Sequence, residues 1–266
     1  MTNKWLKVAL MVTAIATGTS IKIDAETVLY VPQDDRPVSL QYTVDTAREA
    51  GMTVLTPPQH LISGKTYQGQ ADQIMAWVEQ NAGRADVMVL STDTLIYGGL
   101  VDSRKHNIPL STLQNRLKRI EGLKARNKNV RIYGFGTVMR SPRASGGGTE
   151  PAYYAEYGPT IFQIAALQDK LDSGSLTQEE TQKLMSLQAS VPVEYLQDWF
   201  DRRQKNMKIN KELIDETRSG VFDYFALGHD DTSQLSQSAL EGRYLNKYSK
   251  DISVEKYGSF PGADQL

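Results

Sequence analysis

The chain contains no cysteine. Disulfides, thiolate nucleophiles, zinc–thiolate sites and lipid attachment through an N-terminal cysteine are therefore excluded, and the fold must be held by its core alone. Histidine is scarce: His60, His106 and His229 stand far apart with no metal-ligand spacing, so a zinc site is not expected. Long apolar runs are missing too. The nearest approach, Val8 to Ile23, is interrupted by Thr13, Thr17, Gly18, Thr19, Ser20 and Lys22, which makes it a poor stop-transfer segment. Neither sign of charge dominates, with 30 Lys and Arg against 31 Asp and Glu. That balance leaves no electrostatic footprint for nucleic acid and little attraction to an anionic membrane surface. There is no Gly-x-Ser-x-Gly nucleophile elbow, no P-loop and no dinucleotide glycine spacing.

What remains at the N-terminus reads as an export signal. Lys4 and Lys7 form a basic n-region, Val8 to Ile23 a short apolar h-region, and Ala25 offers a small residue for cleavage. Residues 1–25 are accordingly expected to be a signal peptide. The mature chain would be secreted or held in the cell envelope, without stable membrane insertion.

From residue 26 to 266 the chain is long enough for one sizeable core. Its recurrent feature is an apolar run that ends abruptly in Asp. Val28 to Gln33 runs into Asp34-Asp35-Arg36-Pro37, Val87 to Thr92 into Asp93, Tyr224 to His229 into Asp230-Asp231, and Pro261-Gly262-Ala263 into Asp264. Continuous apolar runs are the mark of buried parallel strands. In α/β folds ligands and chemistry gather at the carboxyl ends of such strands.

Amphipathic helices alternate with these runs. Leu40 to Gly51 is one, with Gly51 as its stop; Ile74, Trp77 and Val78 mark a second; Leu110, Leu113, Leu117 and Ile120 mark a third whose basic face reads as ordinary exterior. Residues 140–159 form a Gly- and Tyr-rich loop, and about 160–219 a helical insertion, with a capping box at Thr177 to Glu180 and Pro192 opening another helix. Six parallel strands result, the last at Ile252 to Val254. The expected fold is α/β, an incomplete (β/α) barrel with a helical insertion.

Several groups could carry chemistry. Asp34-Asp35-Arg36 offers two carboxylates, one able to face a ligand while the other holds Arg36 or caps the next helix. Asp93 is followed by Tyr97-Gly98-Gly99, which permits close approach of the backbone to a ligand, and by Arg104, a clamp for a substrate carboxylate or a partner for Asp93. Asp230-Asp231 is the candidate acid–base pair, since two carboxylates in one site cannot both ionise freely. Such pairs occur in glycosidases that use the substrate's acetamido group as nucleophile. Trp199, Arg203, Asn206 and Asn210 share one helical face, which reads either as a polar wall to a cleft or as ordinary surface. Arg140 and Tyr154 complete the candidate binding residues. A hard divalent cation held by Asp34, Asp93, Asp230 and Asp264 is the competing reading; otherwise no cofactor is expected.

Taken together, these residues resemble a bacterial family catalogued as domain of unknown function 4127. The resemblance rests on Val31 to Val38, on Leu90 to Asp93 with Tyr97 to Val101 and Ser103-Arg104, and on Val138-Met139-Arg140. It continues through Glu150-Pro151 with Tyr153-Tyr154, Arg203 with Asn206 and Asn210, Asp230-Asp231 with Ser233, and Pro261 to Asp264. Members are typically longer, so the resemblance implies the N-terminal part of one; Gln265 stands where the motif usually carries Glu. It supplies no reaction. The residues favour a hydrolase of glycans, with Asp231 as acid, Asp230 orienting the substrate, and aromatic rings on sugar faces. A divalent-metal phosphate or ester hydrolase and a non-catalytic carbohydrate-binding protein are the alternatives.

Overall fold

The computed structural model describes residues 25–231 and 233–263. The expected signal peptide, apart from Ala25, and Asp264 lie outside the described residues. Among these residues six strands form one sheet: β1 (Thr27–Val31), β2 (Thr53–Leu55), β3 (Val87–Ser91), β4 (Arg131–Val138), β5 (Tyr224–His229) and β6 (Tyr257–Pro261). All pairings are parallel and the order is β2-β1-β3-β4-β5-β6. The expected α/β architecture of six parallel strands is what is found.

The sheet is open rather than closed into a barrel. A barrel keeps neighbours in chain order, whereas here β1 lies between β2 and β3, so the direction of winding reverses once, as in doubly wound sheets. Right-handed crossovers then decide where the helices go. The β1–β2 connection, α1 (Gln41–Glu49), goes to one face. The later crossovers, running the other way, put α2 (Ala71–Asn81), α5 (Leu110–Arg126), α8 (Val193–Ser219) and α9 (Gln237–Tyr248) on the opposite face. The main core confirms this division. Ile74 and Val78 of α2, Leu117 and Ile120 of α5, and Ile209 and Leu213 of α8 pack on Leu29, Met88, Leu90, Ile132, Phe225 and Leu227. On the other face only Val44 of α1 meets buried Tyr30 and Phe135.

Local chemistry fixes the element ends. Gly51 takes φ +85 just past α1, its N–H bonded to Arg48 O, as the stop signal required. The capping box forms, Thr177 Oγ1 accepting from Glu180 N and Glu180 from Thr177 N, and opens α7 (Gln178–Ser190). Two boundaries differ from expectation. The helical insertion starts at Tyr154, with α6 (Tyr154–Asp172), which carries Pro159 inside it at the cost of one backbone hydrogen bond. The sixth strand is Tyr257–Pro261, not Ile252 to Val254. Ser253 O accepts from Lys256 N and Tyr257 N, and this turn leaves Val254 86% exposed.

Candidate functional site

Because every strand runs the same way, the ends of β1, β3, β4 and β5 meet on one rim, beside the reversal between β1 and β3 where such sheets bind ligands. Two short helices follow β3: α3 (Thr92–Ile96) and α4 (Leu100–Lys105). Ser91 caps α3 by accepting from Thr94 N, and Thr94 Oγ1 donates to Pro32 O at 2.7 Å, which stitches the end of β3 to that of β1.

Asp93 sits at this seam, 2% exposed. Its Oδ2 accepts from Thr137 Oγ1 at 2.7 Å and from Gln33 Nε2 at 3.5 Å. Burial pushes its carboxyl up to about 6, against the opposing pull of Thr137, Gln33 and the field of Arg104. A buried carboxyl with that value can change protonation near neutral pH.

Arg104, on α4, has a side chain only 5% exposed and pairs through Nη2 with Asp230 Oδ2 at the end of β5. Its Nε is buried and has no partner among the described residues. Asp231, next along, accepts from Ser233 N through Oδ1 at 2.9 Å, while Oδ2 is likewise buried and unpartnered there. A donor and an acceptor thus stand unused on adjoining parts of the rim. Buried polar groups rarely stay unpaired, so such a pair signals a missing partner.

The rest of the rim is internally engaged. Asp34 accepts from Arg36 N at 3.2 Å and Arg36 Nε at 2.8 Å, so it holds Arg36; it does not cap α1, whose N-terminus has no side-chain cap. Asp35 accepts the Tyr67 hydroxyl. Arg140 donates to Thr149 Oγ1 at 2.7 Å and forks onto Glu150, which also accepts from Gly146 N. Burial pushes the Glu150 carboxyl up, but these donors outweigh it and hold the group below its ordinary value. Tyr154 is fully buried and donates to Pro142 O.

Two expectations change character. The space beside Gly98 and Gly99 is filled by the chain itself: a Cβ on Gly98 would come within 2.9 Å of both Gly69 O and Asp102 Oδ2, and one on Gly99 would strike the Ser63 hydroxyl. The polar face of α8 is no cleft wall. Arg203 forks onto Glu241 at 2.8 and 2.7 Å, donates to Arg140 O and Met139 O, and stacks on Trp199. Asn206 donates to Ser103 O and receives His106 Nε2; His106 Nδ1 in turn accepts from Ile108 N, which fixes a neutral tautomer. Burial depresses that imidazole to about 4. Asn210 donates to Thr137 O at 3.3 Å.

Sequence reading missed Gln33, Thr137, Glu150 and Glu241 as parts of this network. Gln33 and Thr137 are polar residues near the carboxyl ends of apolar runs, a usable signal. Glu150 belongs to the Glu150-Pro151 pair that carries part of the family resemblance, but nothing local ties either glutamate to its arginine, which lies 10 residues away for Glu150 and 38 for Glu241. Among the described residues no three His, Asp or Glu side chains cluster to hold a metal ion, and no helix is long and apolar enough to cross a membrane.

Compared with known proteins, residues 28–266 match the model of a family described as "Protein of unknown function (DUF4127)". No curated protein and no solved structure matches.

Proposed function

Given that the chain belongs to the DUF4127 family, we propose that it is an exported hydrolase of glycans working at the strand-end rim. The observation that supports this is the pair of unused buried atoms, Arg104 Nε and Asp231 Oδ2. A ligand that satisfies both must accept a hydrogen bond from Arg104 Nε and meet the Asp231 carboxyl with an oxygen that takes its proton or a hydroxyl that gives one. Sugar hydroxyls do both. Asp231 acts as the general acid, giving its proton to the glycosidic oxygen as the bond from that oxygen to the anomeric carbon breaks, while the substrate's own acetamido oxygen attacks that carbon and water later releases it. Asp230, held by Arg104, orients the substrate. Asp93, Arg140 and Tyr154 shape the wall behind these groups.

A divalent-cation hydrolase would need the strand-end carboxylates for the ion, yet Asp34 and Asp230 each carry a guanidinium. A non-catalytic carbohydrate-binding protein would use the same unpaired atoms, and turnover separates the two. Chromogenic glycosides, N-acetylhexosaminides included, should be cleaved, and Asp231→Asn should abolish cleavage while the melting temperature holds. Cleavage that survives the substitution removes Asp231 from the acid role. Sugar binding without cleavage of any substrate leaves the binding-protein reading instead.

A further inference from the structure

Beside the rim, a cavity of about 480 Å³ opens between residues 68–71, where α2 begins, α4 and the start of α5, within the usual size for a small-molecule pocket. Tyr97, Asp102, Lys105, His106 and Ile108 line it. Asp102 is 6% exposed; its Oδ2 accepts from Gly69 N at 3.0 Å, and Oδ1 has no partner among the described residues. Lys105 is three residues further along the same helix face. Its ammonium donates to Gly148 O at 2.9 Å and keeps two hydrogens to give. These opposite charges line one cavity, yet no ion pair joins them among the described residues. Two of the lining residues form a stacked pair, Tyr97 on His106 at 4.9 Å, and the Tyr97 hydroxyl is buried and unpartnered among the described residues.

We propose that this cavity binds a free α-amino acid, its ammonium on Asp102, its carboxylate on Lys105 and its side chain against Ile108 and the stacked rings. One carbon carrying both charges suits two side chains about 5–6 Å apart at their Cβ atoms. A ligand of single charge would leave one of the two unanswered. The inference is independent of glycan hydrolysis at the rim.

Isothermal titration of the full chain with the standard free amino acids tests it. At least one with an apolar or aromatic side chain should bind saturably, with a Kd of about 1 mM or tighter. Asp102→Asn keeps an acceptor for Gly69 N and removes only the charge; Lys105→Met changes an exposed side chain and leaves the core intact. Each should weaken binding about tenfold or more. N-acetylated and methyl-esterified forms of the same amino acid should fail to bind. The proposal falls if no amino acid binds, if either blocked form binds like the parent, or if Lys105→Met binds unchanged.

Discussion

Arg203 on α8 and Arg104 on the rim are both buried guanidiniums facing a carboxylate, but they differ in what they leave over. Every nitrogen of Arg203 donates within the chain, to Glu241, Arg140 O, Met139 O and Ser238. Arg104 gives Nη2 to Asp230 and keeps a buried Nε with no partner among the described residues. Residue type and burial are the same, so neither marks a site. The count of unspent hydrogen bonds separates a clamp that holds the fold from a group that waits for a ligand.

The largest effect should come from cutting the clamp. Arg203→Leu leaves Glu241 buried without its cation and strands Arg140 O just past β4, while Met139 O keeps the Ser238 hydroxyl; the loss should cost about 3–5 kcal/mol in urea denaturation. Asp231→Asn at the rim removes no bonded cation and should leave stability nearly unchanged. A loss near 1 kcal/mol or less for Arg203→Leu would erase the distinction between the two regions.

The same two regions contain opposed titrating groups. Asp93 rises from 3.8 unfolded to about 6 folded. Between those values the folded state holds the extra proton, so stability falls as pH rises through the window. His106 falls from 6.5 to about 4. There the unfolded state holds the extra proton, so stability is lost as pH falls from 6.5 towards 4. Each shift corresponds to about 3 kcal/mol, and where the windows overlap they nearly cancel. Asp93→Asn should therefore expose a stability that climbs with pH, and His106→Asn one that declines. Urea midpoints measured across the overlap would show it. Slopes of the same sign in both variants would mean that one of these groups is not buried as described.

The alternation of apolar runs and amphipathic helices was enough to read six parallel strands and the Asp-bearing ends of β1, β3 and β5, because strand burial on both faces writes itself into continuous apolar sequence. Strand order was not readable. Nothing local in Val28 to Val31 says that β1 will lie between β2 and β3; that depends on which way each crossover turns. Ile252 to Val254 misled because β-branched residues favour strands, while the backbone of Ser253 made a turn first. At the site, residue type nominated Asp230, Asp231 and Arg104 as readily as Arg203 and Asn206. Only partners distant in the chain, such as Glu241 for Arg203, told them apart.

Asn210 gives the smallest and most discriminating test, since it touches both regions. Its Nδ2 donates to Thr137 O, while Thr137 Oγ1 donates to Asp93. Asn210→Ala removes one neutral hydrogen bond, which should cost about 1 kcal/mol. Thr137 O belongs to the backbone of β4, pinned by its pairing with β5, so the hydroxyl should stay on Asp93. The titration of Asp93, followed by the carboxyl carbon's chemical shift, should then hold at its wild-type midpoint. A midpoint that moves with Asn210→Ala would mean that α8 tunes the rim, making clamp and site one unit.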